Sequence, residues 1–210
     1  MPDFRKSDRF NHHVGSAASG HFVYGTDNVR AVTVENRFIR AHSRSAQQLL
    51  RTTADGVFAV GDCAGSPHFT HIAYDDYRIV HRALRGDDWV STGRQVPYAL
   101  YTDPELAHVG LHEHDAQRQG VAYRLAKLPM AAVLRTRTSG ETEGFLKALI
   151  GNDDRVLGFT ALGVGAGELL APVQLVMSAG LPYTALRDLI VTHPTLTEGL
   201  VYLFSSIHGK

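Results

Sequence analysis

The stretch GFLKALIGNDDRVLGFTALG, residues 144–163, decides how the rest of this 210-residue chain is read. Alternating apolar runs flank Asn152, Asp153 and Asp154, residue types that accept the tight turns joining antiparallel strands. The expectation is a β-hairpin with one face turned to a core. Upstream, YALYT (98–102), LAHVGL (106–111) and AYRLAKLPM (122–130) read as further strands, with a short helix at EHDAQRQG (113–120). Downstream, AGELLAPVQLVMSAG (166–180), YTALRDLI (183–190) and TEGLVYLFSSI (197–207) carry helical spacing. Strands first and helices after imply an α+β unit over residues 96–210, built on an antiparallel sheet.

Before Pro97 the pattern differs. GVFAV (56–60) is a short apolar run with no polar face, expected to form a strand buried on both sides. GDCAGSP (61–67) breaks it. THIAYDDYRIVHRALRG (70–86) then places Ile72, Ile79, Val80, Ala83 and Leu84 at helical spacing. Asp75 and Asp76 come early and Arg78, Arg82 and Arg85 late, an order that suits the helix dipole, and Gly86 is a stop signal. DDWVSTGRQ (87–95) reads as a linker. In residues 1–51, HFVYGTDNVRAVTVEN (21–36) is a hairpin candidate and RFIRAHSRSAQQLLR (37–51) a basic, weakly amphipathic segment; this opening stretch carries no motif.

Composition excludes several classes. Twenty-one basic residues match 21 acidic ones, so no electrostatic pull toward nucleic acid or an anionic membrane is expected. The longest apolar runs, such as LLAPVQLVM (169–177), fall far short of the about 20 residues that span a bilayer. The polar MPDFRKSDRFNHH opening has no signal-peptide core, and a soluble cytoplasmic protein is the expectation. Cys63 is the single cysteine, so no intramolecular disulfide can form; beside Asp62 its thiol pKa is expected to rise, which makes it structural.

Candidate site residues fall in two places. In VTHPTLTEGL (191–200), Pro194 keeps His193 out of a helix expected to start at Thr195. Thr195 and Glu198 have capping-box spacing, which accounts for both of them and leaves His193 without a role. An imidazole near a carboxylate is also an acid–base arrangement. Asp62, after Gly61 at the end of the apolar run, can close a turn or accept hydrogen bonds from sugar-like hydroxyls. Twelve histidines raise a metal reading, centred on His68 with His71 and His112 with His114, but neither pair has a third ligand at typical spacing. GVGAGE (163–168) is nearly a dinucleotide fingerprint, yet Glu168 replaces its last glycine, and a plain strand-to-helix turn is expected.

TTADGVFAVGDCAG (52–65) resembles the second FAD-binding signature of the pyridine nucleotide–disulfide oxidoreductases. THPTLTEGL (192–200) resembles the His-Pro-Thr-x-x-Glu motif that ends their dimerisation domain. VPYALYTDPELAHVGL, VLGFTALGVGAGELL and SAGLPYTALRDLIVTHPT lie between them in the family's order; the whole resembles mercuric reductase-like and dihydrolipoamide dehydrogenase-like members, with FTHIAYDDYRIV most similar to the mercuric reductase-like ones. The resemblance implies the C-terminal portion of such an enzyme: residues 52–90 as the remnant of an α/β FAD-binding domain and 96–210 as the dimerisation domain. It implies that Asp62 holds the ribityl chain of FAD, with Gly61 beside it and Thr70, His71 and Ile72 supplying backbone near the flavin ring. It implies that His193 is the acid–base group, oriented by Glu198 and reaching a partner subunit across a two-fold axis.

The family's pyrophosphate loop, cysteine pair and NAD(P)H domain are not found in the sequence, so the expectation is that the chain alone neither holds FAD tightly nor turns over. The implied parent activity is electron transfer from NAD(P)H through FAD to a disulfide or metal ion. The alternatives are a non-catalytic dimerisation module from a truncated or split flavoenzyme, paired with a separate N-terminal flavoprotein chain, and a histidine-based metal binder.

Overall fold

In a computed structural model of the chain, residues 50–52, 54–87 and 93–207 are described. The hairpin and basic segment expected before residue 50 lie outside them, as does the middle of the expected linker. The chain divides into two compact units, Met1–Gly93 and Arg94–Lys210.

The second unit is organised by the expected hairpin. Strands β4 (Phe145–Ile150) and β5 (Val156–Leu162) pair antiparallel, and Asp154 takes φ of 63° in the turn between them. β1 (Tyr98–Leu100), β2 (Leu106–Gly110) and β3 (Arg124–Pro129) complete a five-stranded sheet in the order β1-β2-β5-β4-β3, antiparallel throughout. The fold class is therefore α+β, as the order of strands and helices implied. Alternation sorts the two faces. Ala107, Val109, Phe159, Ala161, Leu146 and Ala148 form the core face, and all are essentially buried.

Helices close this core face: α4 (Leu170–Ser178) packs on β2 and β5, and α6 (Glu198–Ser205) on β3 and β4, with α5 (Thr184–Arg187) against α6. Phe159 on β5 and Phe204 on α6 have no appreciable exposure. Each contributes about 1.5–3 kcal/mol by leaving water. α2 (Glu113–Arg118) matches the short helix expected after β2. A helix α3 (Leu134–Ser139) was not legible, because Val133, Thr136 and Thr138 are poor helix formers. It holds because the buried Thr136 hydroxyl donates to the carbonyls of Met130 and Val133, at 2.6 and 2.9 Å.

Two expectations are corrected here. GVFAV is not a strand: Phe58 makes only an isolated antiparallel bridge to Arg51, although Phe58 and Ala59 are buried. An apolar run becomes a strand when neighbours pair with it, and among the described residues only the 50–52 segment does so. The last helix begins at Glu198 rather than Thr195. Residues 195–197 form a turn in which Gly199 and Leu200 donate to the Leu196 and Thr197 carbonyls, and the Leu196 side chain reaches Gly165.

In the first unit, α1 (Thr70–Ala83) forms as expected, with Ile72, Ile79 and Ala83 buried along one stripe. Gly61–Ala64 is a single 3-10 turn. No helix among the described residues is long and apolar enough to cross a membrane.

Candidate functional site

The His193–Glu198 pair is built on the first turn of α6. That turn sits against the sheet because residue 199 is glycine: a Cβ there would lie 2.9 Å from side-chain atoms of Leu146 and Val133. Leu200, Leu203 and Phe204 are buried around it, so the position of Glu198 is fixed by the core rather than by solvent-exposed chain. Glu198 is itself 7% exposed, while the His193 side chain is 61% exposed.

The Glu198 carboxylate is divided between two tasks. Its Oε1 pairs with His193 Nδ1 at 2.8 Å, and its Oε2 accepts the Thr195 backbone N–H at 3.0 Å. The Tyr202 hydroxyl, one helical turn on, also donates to Oε1 at 3.3 Å. The capping box is therefore half made. Its carboxylate arm is present, but the Thr195 hydroxyl donates backward to the Thr192 carbonyl at 2.7 Å instead of capping α6.

These bonds have an electrostatic consequence. The hydrogen bond from His193, and next the Thr195 amide, hold the Glu198 carboxyl below its ordinary range, against a smaller upward push from burial. An ionised Glu198 accepts a proton-bearing Nδ1, which leaves the Nε2 of the largely exposed ring without a hydrogen-bond partner among the described residues.

The second candidate region lies in the first unit. Gly61 turns with φ of 66°, and a Cβ there would meet the Ala73 Cβ at 3.3 Å, so the turn and α1 lie close together. The Gly61 N–H donates to Asp76 Oδ2 at 2.7 Å, and Asp76 is wholly buried. Asp62 is exposed, and its carboxylate makes no hydrogen bond or ion pair among the described residues. A sugar-like hydroxyl can therefore reach it. Thr70 and His71 are exposed at the start of α1, while Ile72 is 2% exposed and its N–H already donates to the Phe69 carbonyl. Cys63 is half-buried, and its thiol donates to the Val60 carbonyl at 3.1 Å.

Sequence reasoning missed two of these residues. Asp76 falls on the stripe formed by Ile72, Ile79 and Ala83, and a carboxylate inside an apolar stripe was the available signal. Tyr202 stands four residues after Glu198, the spacing that places two side chains on one helix face.

The remaining histidines sort differently from the metal reading. The His112 ring lies flat on His108, with centroids 3.5 Å apart, and its Nε2 pairs with the Tyr98 hydroxyl at 3.0 Å. His108 is buried, with Nε2–H donating to the Gly110 carbonyl at 3.0 Å and Nδ1 accepting from Thr160 Oγ1 at 2.9 Å. Burial pushes its pKa down to about 4. Among the described residues, no cluster of three His, Cys, Asp or Glu side chains could hold a metal ion. At the glycine-rich turn, the Gly167 N–H is taken by Glu105 Oε1 at 2.6 Å, so the chain supplies that amide's anion itself.

The profile described as "Pyridine nucleotide-disulphide oxidoreductase, dimerisation domain" matches residues 96–204. The chain belongs to the pyridine nucleotide–disulphide oxidoreductase family. Among family relatives, the probable pyridine nucleotide-disulfide oxidoreductase RclA of Escherichia coli K12 is 42% identical over 179 residues, which covers 82% of this chain and 41% of the relative. The dihydrolipoyl dehydrogenase of Thermus scotoductus is 35% identical over 178 residues, covering 84% of this chain and 37% of the relative. A solved structure titled "HOCl-induced flavoprotein disulfide reductase RclA from Escherichia coli" superimposes with a TM-score of 0.73 at 41% identity, over 81% of this chain and 40% of that one. The chain thus spans about two fifths of the length of these family members.

Proposed function

We propose that this chain supplies the acid–base pair and the two-fold interface of a FAD-dependent NAD(P)H:disulfide or metal-ion oxidoreductase. One observation carries the reading: Glu198, nearly buried, fixes Nδ1 of a largely exposed His193 at 2.8 Å and leaves Nε2 open. In this reading Nε2 takes the proton of a thiol as its thiolate forms, and returns it when the thiol is regenerated. Glu198 keeps the proton on Nδ1 and stabilises the imidazolium in between. General acid–base help of this kind contributes about 10²–10⁴-fold to a rate.

The residues around Asp62 fit FAD: an exposed carboxylate free to bond ribityl hydroxyls, beside a glycine turn and the first amides of α1. FAD, when bound, supplies the electron-transfer step between NAD(P)H and the acceptor. Gly61, Asp62, Thr70, His71 and Ile72 are the contacts assigned to it, with Ile72 contributing through position rather than through its own N–H. The interface is isologous, with the dimerisation domain of one copy meeting the same surface on another. A cytoplasmic site of action is part of this reading, supported by the single cysteine.

The test combines a light-scattering mass with turnover by the flavin-loaded assembly. A mass of two chains is expected, and, once the chain is combined with a separate N-terminal flavoprotein chain, NAD(P)H oxidation that falls about 10²–10⁴-fold in His193→Gln at unchanged flavin content. A monomer, or turnover undiminished by His193→Gln, would overturn the proposal.

A further inference from the structure

We propose that Tyr202 is a positioning residue of the His193–Glu198 pair. Its phenol and the His193 imidazole share one carboxylate oxygen, so the ring sets how firmly Glu198 holds the imidazole proton. The inference rests on the acid–base reading of His193 and deepens it.

The geometry is asymmetric. Glu198 Oε2 accepts one donor, the Thr195 amide, from the loop side. Oε1 accepts two, His193 Nδ1 at 2.8 Å and the Tyr202 hydroxyl at 3.3 Å. The amide and the phenol therefore grip the carboxylate from opposite sides, the loop and the helix. Its orientation does not depend on the imidazole, whose ring is mostly in solvent. Tyr202 can do this because it stands one turn after Glu198 on α6, with Leu203 and Phe204 buried beside it and its own ring half-exposed. At 3.3 Å the phenol makes a longer bond than the imidazole and is the weaker of the two donors. Its effect is to withdraw charge from Oε1 and so temper the pull on the Nδ1 proton.

Removal of the phenol oxygen has a directional consequence. In Tyr202→Phe the ring packing is kept and Oε1 loses one donor. The carboxylate then becomes easier to protonate and its midpoint moves up, because the phenol is one of the donors that hold it low. Oε1, relieved of its second donor, draws the Nδ1 proton more strongly, and the His193 Nδ1–H signal moves downfield. A residue that only packed against α6 would change neither.

The measurement is an NMR titration of the Glu198 carboxyl, with the His193 Nδ1–H shift read alongside, in the wild-type chain and in Tyr202→Phe; His193→Gln assigns the imidazole signals. An upward Glu198 midpoint with a downfield Nδ1–H is the expected result. A folded Tyr202→Phe chain in which both stay at their wild-type values would overturn the proposal. Tyr202→Leu, which removes the ring as well, must also move the Glu198 midpoint upward, and a downward movement would overturn it. The titration needs no flavin and no turnover, so it is separate from the acid–base test. Undiminished turnover in His193→Gln alongside a moved Glu198 midpoint would remove the catalytic reading and leave Tyr202 as the group that tunes the pair.

Discussion

Two imidazoles in the second unit show how one side chain is given opposite properties. His193 lies on an exposed loop, backed by a carboxylate, with one ring nitrogen open to solvent. His108 sits on β2 under His112, held by a hydroxyl and a carbonyl, with no carboxylate hydrogen-bonded to it. Burial drives the His108 pKa to about 4, aided by the neighbouring His112 and Lys147 and opposed by the Gly110 carbonyl and Asp115. The second ring is arranged to refuse a proton, while the first keeps one nitrogen bonded to a carboxylate and the other exposed. The difference lies in burial and in the partner chosen, not in the residue.

The contrast can be broken from the His193 side first. Glu198→Gln keeps the size of the side chain but offers its NH2 group or a neutral oxygen to Nδ1. Turnover by the flavin-loaded assembly is expected to fall about 10²-fold, with the tautomer no longer fixed; a steady-state assay with a disulfide acceptor measures it, and unchanged turnover would leave Glu198 a purely structural anchor.

From the His108 side the prediction concerns stability against pH. The folded pKa of about 4 lies below the ordinary value of 6.5, so the unfolded chain takes up this proton first as pH falls. Stability from this group is whole above 6.5, declines through the window down to about 4, and is lost below it. The decline is on the order of 3 kcal/mol by linkage. Glu198 acts lower down. Its carboxyl is held below the usual 4.5, so its contribution is present above 4.5 and disappears only as pH falls through its depressed folded value. Urea unfolding at steps from pH 7 to pH 4 should therefore show a slope that His108→Asn flattens. An equal slope in the variant would show that another group carries it.

Smaller effects sharpen the comparison. Gly199→Ala places a methyl 2.9 Å from Leu146 and Val133 atoms, which must give way. The cost is about 1–2 kcal/mol in unfolding free energy, with the His193 NMR signals displaced as the first turn of α6 lifts. Asp62→Asn should leave the thermal midpoint where it is, since the exposed carboxylate bonds nothing among the described residues, while weakening FAD uptake in a fluorescence titration.

The legible parts of this protein were those with a short-range signature. Alternation on both sides of Asn152–Asp154 announced the hairpin, and the strands-then-helices order announced the sheet with its covering helices. The spacing of His193, Thr195 and Glu198 marked a site and offered two readings, cap or acid–base pair. In the structure Oε2 accepts the Thr195 amide, as a cap does, and Oε1 meets His193 Nδ1. Asp76 was read as one of two charges suited to the dipole of α1, yet it is a buried anchor for Gly61, which only the approach of that turn to the helix reveals. His112 was paired with His114 on spacing, when its neighbour in space is His108.

The sequence by itself determined the periodicities, the turn positions and the identity of the chemical groups, because these depend on neighbours a few residues away. Tertiary structure alone decided which groups are buried and whom they meet. Desolvation of His108 depends on β1, β2 and β5 lying side by side, and the grip on Glu198 depends on α6 settling against Leu146 and Val133. Charge energies follow distance and access to water, and the folded chain sets both.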